Sequence, residues 1–177
     1  MLDQALLLEK TTHVLTGTYD FQKLAQQAVD LLYKELKSEG FIGTGVFRVR
    51  PETNEIYAYA YNAPYRKAID AILPIPFSHL HLTMEAKDNL IVRTVLTNQP
   101  QQSSRLSDFG KHALPDAITD KIQKFLKIKQ MIAFPISTKS GRVAGVLLCD
   151  FPHDTIPPHH IALIQVFVRQ LGLAFSN

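Results

Sequence analysis

Gln130-Met131-Ile132-Ala133-Phe134-Pro135-Ile136-Ser137 and Arg142-Val143-Ala144-Gly145-Val146-Leu147-Leu148-Cys149-Asp150-Phe151 flank the polar stretch Thr138-Lys139-Ser140-Gly141. Two apolar runs around turn chemistry read as an antiparallel hairpin. After it, Pro157 and Pro158 open a helix that runs to about Phe175. Upstream, Thr44–Arg50 alternates, with Phe47 and Val49 on one side and Val46, Arg48 and Arg50 on the other. Glu55–Tyr61 alternates again, Ile56, Ala58 and Ala60 opposing Tyr57, Tyr59 and Tyr61, and Pro51-Glu52-Thr53-Asn54 joins the two runs. That is a second hairpin.

Ahead of the hairpins, Asp20 stands where a helix N-cap belongs. Phe21, Leu24, Ala25, Ala28, Leu31, Leu32 and Leu36 then recur at helical spacing as far as Gly40. Residues 2–16 form an earlier helix with Leu2, Leu6, Leu7, Val14 and Leu15, and Gly17-Thr18 interrupts it. Between the hairpins the pattern is mixed. A short helix is expected over Pro64–Ile72, and loop or short strand over Leu73–Leu82. Asp88 is expected to cap a helix from Asn89 to Thr97, Gln101–Ser104 to form a short strand, and Pro115–Leu126 a further helix. An antiparallel sheet with helices packed on it is an α+β architecture.

The chain has 177 residues, 46% hydrophobic and 20% charged, which suits a packed core rather than disorder. The net charge of +3 is dispersed, and Lys121, Lys124, Lys127 and Lys129 fit the solvated side of a helix, so nucleic-acid binding is not expected. No apolar stretch approaches the roughly 18 residues of a membrane span, and the N-terminus has no signal-peptide pattern. With a single cysteine, Cys149, no internal disulfide forms. A cytoplasmic location without direct membrane contact is expected. The closing helix carries Ile161, Leu163, Ile164, Val166, Phe167, Val168, Leu171, Leu173 and Phe175 on more than one side. A second cover is required, either the first helix of the same chain or a partner's helices in a homodimer.

This order resembles the GAF domain family. Ile128–Ile136 looks like the family's strand ending in an apolar-Pro-apolar step, Gly141–Leu147 like its turn and glycine-containing strand, and Leu163–Asn177 like its closing helix. Leu90–Pro100 is similar to its mid-domain helix before a Pro-containing strand, and Asp20-Phe21 matches the start of its first core helix. The resemblance implies one GAF-like domain over 1–177, with 1–19 as a connecting helix and 20–177 as the core. It implies a GAF/PAS-like central antiparallel sheet of five or six strands, with N- and C-terminal helices on one face. A variable middle segment covers the other face, over a ligand pocket. The implied role is non-catalytic: a sensory module of a larger cytosolic signalling protein, such as a histidine kinase of a two-component system. It would bind a small molecule and relay the signal through terminal helices as a homodimer. A ligand-free dimerisation scaffold shares the same motifs.

Cyclic-nucleotide-binding members carry an Asn-Lys-Phe-Asp-Glu set that Cys149-Asp150-Phe151-Pro152-His153-Asp154 does not reproduce. The middle segment has no cysteine to attach a bilin. Reduction of free methionine sulfoxide, an activity of related enzymes, needs two thiols. Within the implied pocket the candidate ligand-binding residues are Tyr59, Tyr61, Asn62, Arg93, Ser103, Arg105, Asp108 and Phe109, the arginines suiting an anionic ligand. The bland reading of the segment from Gln101 to Arg105 is an exposed edge strand with ordinary capping. His79 and His81 share one face of an extended segment and join the candidate set, but no third ligand is identifiable, so neither haem nor metal is expected. His153, His159 and His160 lie near a helix start, where adjacent residues diverge, and no metal is expected there either. Phe134, with Tyr59 and Tyr61, either walls the pocket or fills it. A cavity of a few hundred Å³ would favour a ligand.

Overall fold

The computed structural model describes residues 4–16, 20–63 and 65–176. Gly17 and Thr18, to which the sequence assigns a break, and Pro64, expected to open a short helix, lie outside the described residues, as do Leu2, Asn177 and the side chains of Val14 and Leu15. Helices α1 (Gln4–Thr16) and α2 (Phe21–Leu36) lead into strands β1 (Gly43–Arg50) and β2 (Glu55–Tyr61). The middle segment holds α3 (Tyr65–Ile72), β3 (His81–Thr83), α4 (Leu90–Thr97), β4 (Gln101–Ser103), α5 (Ser107–Gly110) and α6 (Asp116–Leu126). Strands β5 (Gln130–Ser137) and β6 (Val143–Phe151) and helix α7 (Pro158–Ala174) complete the chain.

The six strands form one antiparallel sheet in the order β3-β2-β1-β6-β5-β4. Strand alternation divides the core in two. Val46, Phe134, Leu147, Cys149 and Phe151 face α1, α2 and α7, whereas Val146, Leu148, Met131 and Ala133 face α3 to α6. Helix α2 starts where Asp20 accepts hydrogen bonds from the Gln22 and Lys23 amides at 3.0 and 3.3 Å. Its buried stripe is Leu24, Ala25, Ala28, Val29, Leu32 and Leu36. Each fully buried leucine or valine there contributes about 1.5–3 kcal/mol of transfer free energy.

Two local expectations change, and one open alternative is narrowed. Asn89, not Asp88, caps α4: its side chain accepts from the Ile91 and Val92 amides, while Asp88 pairs with His112 at 2.7 Å. The β1–β2 ladder carries a bulge, because Val46 opposes Ala60 while Phe47 opposes Ala58. Tyr59 is the extra residue, and past it the alternation inverts. Ala60 joins the helix-side core and Tyr61 the other. Finally, α7 packs on both β5 and α1, so a helix of the same chain supplies the second cover that its apolar faces require. Gly172 makes that docking close: a Cβ there would collide with the backbone carbonyl of Ser137 at the end of β5. Among the described residues no helix is long and apolar enough to cross a membrane.

Candidate functional site

The middle segment does not close fully on the sheet. Between them lies a cavity of about 90 Å³, walled by Phe47, Ile56 and Leu148 from the sheet, by Ile69, Phe77 and Leu80, and by Phe109, Leu114 and Ile122. Its lining is apolar except at a few points, and two of those meet on one side. Alternation along β6 turns Asp150 into the cavity, and the bulge in β2 turns Tyr61 toward it.

Asp150 is 3% exposed. Its Oδ2 accepts a hydrogen bond from the Tyr61 hydroxyl at 2.8 Å, and its Oδ1 has no partner among the described residues. Burial pushes this carboxyl from near 3.8 up to about 7, against the pull of the Tyr61 hydrogen bond. Burial, followed by the neighbouring Asp150 charge, raises the Tyr61 phenol well above its ordinary value. Gly43 opposes Asp150 in the β1–β6 ladder, and any Cβ there would collide with the Tyr61 hydroxyl. The bare backbone at Gly43 is what lets the Tyr61–Asp150 pair form.

A buried carboxyl with one unmet oxygen costs stability unless something hydrogen-bonds to it. Ionised, it accepts from a ligand N–H or O–H; protonated, it donates. The cavity holds no thiol. Cys149 points to the opposite side of β6, its Sγ 3.6 Å from Thr44 Oγ1, and burial drives its thiol far above the ordinary range.

The residues singled out from sequence scatter. Tyr61, His81 and Phe109 line the cavity. Tyr59, the bulge residue, lies on the helix side, where its hydroxyl accepts from Arg48 at 3.1 Å. Phe134 is also on the helix side, because β5 alternates in register with β6. Asn62 is buried as a structural tie, its Oδ1 accepting from the Thr44 amide at 2.7 Å. Ser103 donates to Asp108 at 2.6 Å, and Asp108 lies 3.9 Å from the Lys111 ammonium; these close the turn after β4. Arg93, Arg105 and His79 are exposed and outside the cavity lining. His81 stacks on Tyr57 with ring centroids 5.4 Å apart. Asp150 and Gly43 were not among the sequence candidates. The available signal was a lone carboxylate closing an apolar strand, at a position alternating with Val146 and Leu148.

The GAF domain family model matches residues 20–175. No curated protein matches by sequence. Among solved structures, the GAF domain of A. aeolicus Nlh2 in an inactive state is 18% identical, with a TM-score of 0.68 over 98% of this chain and 95% of that one. The GAF domain of a phosphoenolpyruvate-protein phosphotransferase from Coxiella burnetii is 15% identical, with a TM-score of 0.69 over 98% and 92%. Free methionine-R-sulfoxide reductase from Neisseria meningitidis, in complex with its substrate, is 15% identical, with a TM-score of 0.67 over 99% and 92%. At these identities the likeness is one of fold.

Proposed function

Because this chain belongs to the GAF domain family, we propose that it is a non-catalytic sensory domain of a cytosolic signalling protein that binds a small molecule between sheet and middle segment. The observation that carries this reading is Asp150 Oδ1, a buried acceptor without a partner in an otherwise apolar cavity. The matching ligand has a compact apolar body and one N–H donor, an amine or amide, directed at Asp150, and it binds the ionised carboxylate. Two neighbours on β6 connect the site to the opposite face: Asp150 touches the ligand, while Phe151 packs edge-on against Phe41 on the helix side at 5.3 Å. A ligand that prefers one arrangement of the middle segment biases the terminal helices by its differential affinity, and by no more than that. The output passes through α1 and α7 to adjoining segments, or to a second copy across α1, where Leu6 and Leu8 are exposed.

A non-catalytic role is supported by the chemistry of the thiol. The similarity to a methionine sulfoxide reductase raises that activity, but the chain has one cysteine, and a disulfide-forming reductase cycle needs two.

One observation favours a second reading, a ligand-free dimerisation scaffold. The cavity of about 90 Å³ is smaller than the roughly 300–1,000 Å³ of sites for drug-sized ligands. An apolar void of about 150 Å³ takes a molecule of benzene's size. At about 90 Å³ the cavity is smaller than that, so even a ligand of benzene's size requires the α3 and α5–α6 walls to move outward. Native mass spectrometry of freshly purified protein, against the denatured mass, separates the readings. Mass lost on denaturation from wild type but not from Asp150→Asn supports the sensor. An apo dimer that no amine-bearing fragment stabilises in a thermal-shift screen favours the scaffold.

A further inference from the structure

A second cluster of chemically capable side chains lies away from the cavity, on the helix side, and does not depend on the ligand reading. The 3₁₀ turn Lys37–Glu39 follows α2, and His159 and His160 occupy the first turn of α7. Successive helical residues point about 100° apart, so an adjacent pair is expected to diverge. Here both rings bend toward one atom. Glu39 Oε2 lies 2.6 Å from His159 Nε2 and 2.8 Å from His160 Nε2, and the two ring centroids are 4.5 Å apart. The three ligand-type atoms all fall within 4.8 Å of one another.

The surroundings hold one side of this cluster rigid and leave the other open. His160 is 0% exposed and stacks on Phe151 at 6.0 Å, with the His153 ring 5.8 Å away. Its Nδ1 is buried without a partner among the described residues, so Glu39 is the one polar anchor the structure shows for this ring. His159 and Glu39 reach solvent, with side-chain exposures of 64% and 32%. Two imidazoles and a carboxylate from separate elements, converging on one point with an open side, match the donor set of a late first-row divalent cation. Tetrahedral bonds near 2.0–2.2 Å set donor atoms roughly 3.3–3.6 Å apart, so Glu39 Oε2, now 2.6 and 2.8 Å from the two imidazole nitrogens, must draw back by about 0.5–1 Å to admit the ion.

We propose that Glu39, His159 and His160 form a zinc-type metal site, with water completing a tetrahedral coordination. The bound ion clamps the C-terminal end of α2 to the start of α7, the two helices that pack the same sheet face.

The test titrates zinc and cobalt into tag-free, chelator-stripped protein. The expected result is one equivalent bound at micromolar or tighter affinity, with the visible bands of tetrahedral cobalt. His159→Ala and Glu39→Gln, both at solvent-reaching positions, each weaken binding by at least about tenfold, while circular dichroism shows both folded. His112→Ala, at another surface histidine paired with a carboxylate, leaves binding unchanged. No binding at micromolar metal, or binding that His159→Ala and Glu39→Gln do not weaken tenfold, overturns the proposal.

Discussion

Cys149 and Asp150 are neighbours on β6, yet they report two different environments. Cys149 faces α2 and α7 in a core where Phe151, Phe167, Leu147 and Ile164 are all 0% exposed. Asp150 faces a cavity roofed by short helices and loops, with one carboxylate oxygen unmet. The face around Cys149 is filled by apolar side chains, whereas the face around Asp150 retains space and an unmet carboxylate oxygen. The first behaves as scaffold, where a change of volume is penalised directly; the second tolerates change because it is not full.

The largest test of this contrast removes a ring from the packed face. Phe167→Ala should cost about 3–5 kcal/mol in urea unfolding, because the surrounding helices and sheet cannot collapse into the space. A loss near 1 kcal/mol would mean that the helix side is as loose as the cavity side. Next in size is the pH dependence carried by Asp150. Its carboxyl titrates near 7 in the folded protein against about 3.8 in the unfolded chain. Well below pH 3.8 both states are protonated and the folded state keeps its full advantage. As pH rises toward 7 the unfolded chain loses its proton first, so ligand-free wild type loses stability, and above the folded value the loss is complete. Asp150→Asn removes the effect. The difference in unfolding free energy between variant and wild type should grow in favour of the variant by on the order of 2 kcal/mol from pH 5 to pH 8. A difference that stays flat over that range would show that Asp150 is not held in its protonated form by burial.

The features legible in the sequence are the ones that local chemistry decides. Both hairpins, the stripe of α2 and the Asp20 cap follow from period and capping within a few residues. The candidate site was harder to read, for specific reasons. The alternation Ile56 to Tyr61 looks continuous, and nothing in it marks Tyr59 as the bulge that turns Tyr61 alone toward the cavity. Asp88 and Asn89 are both good cap residues, and the choice is made by Asn89 also donating to the Phe109 and Lys111 carbonyls. The contacts that define the two clusters join distant positions: Tyr61 to Asp150, and Glu39 to His159 and His160. Spacing along the chain carries no trace of such pairs. Polar residues near the expected pocket, such as Ser103, Arg105 and Asp108, satisfy one another or solvent at the turn after β4, whereas the cavity takes its polarity from a strand that reads as core.

The smallest effect is the most discriminating, because it asks each face to accept the same added volume. Ala28 on α2 is fully buried against the packed core, and Ala113 lines the cavity. Enlarging Ala28 to leucine should overpack and cost about 1–3 kcal/mol. The same enlargement at Ala113 has vacant space to enter, and its unfolding free energy should stay within about 1 kcal/mol of wild type. If both cost the same, the cavity walls are as rigid as the helix core and the space between them is not available to a ligand. If Ala113→Leu is neutral and also abolishes retention of a small molecule seen in native mass spectrometry, the vacancy is a binding site, and the leucine has taken the ligand's place.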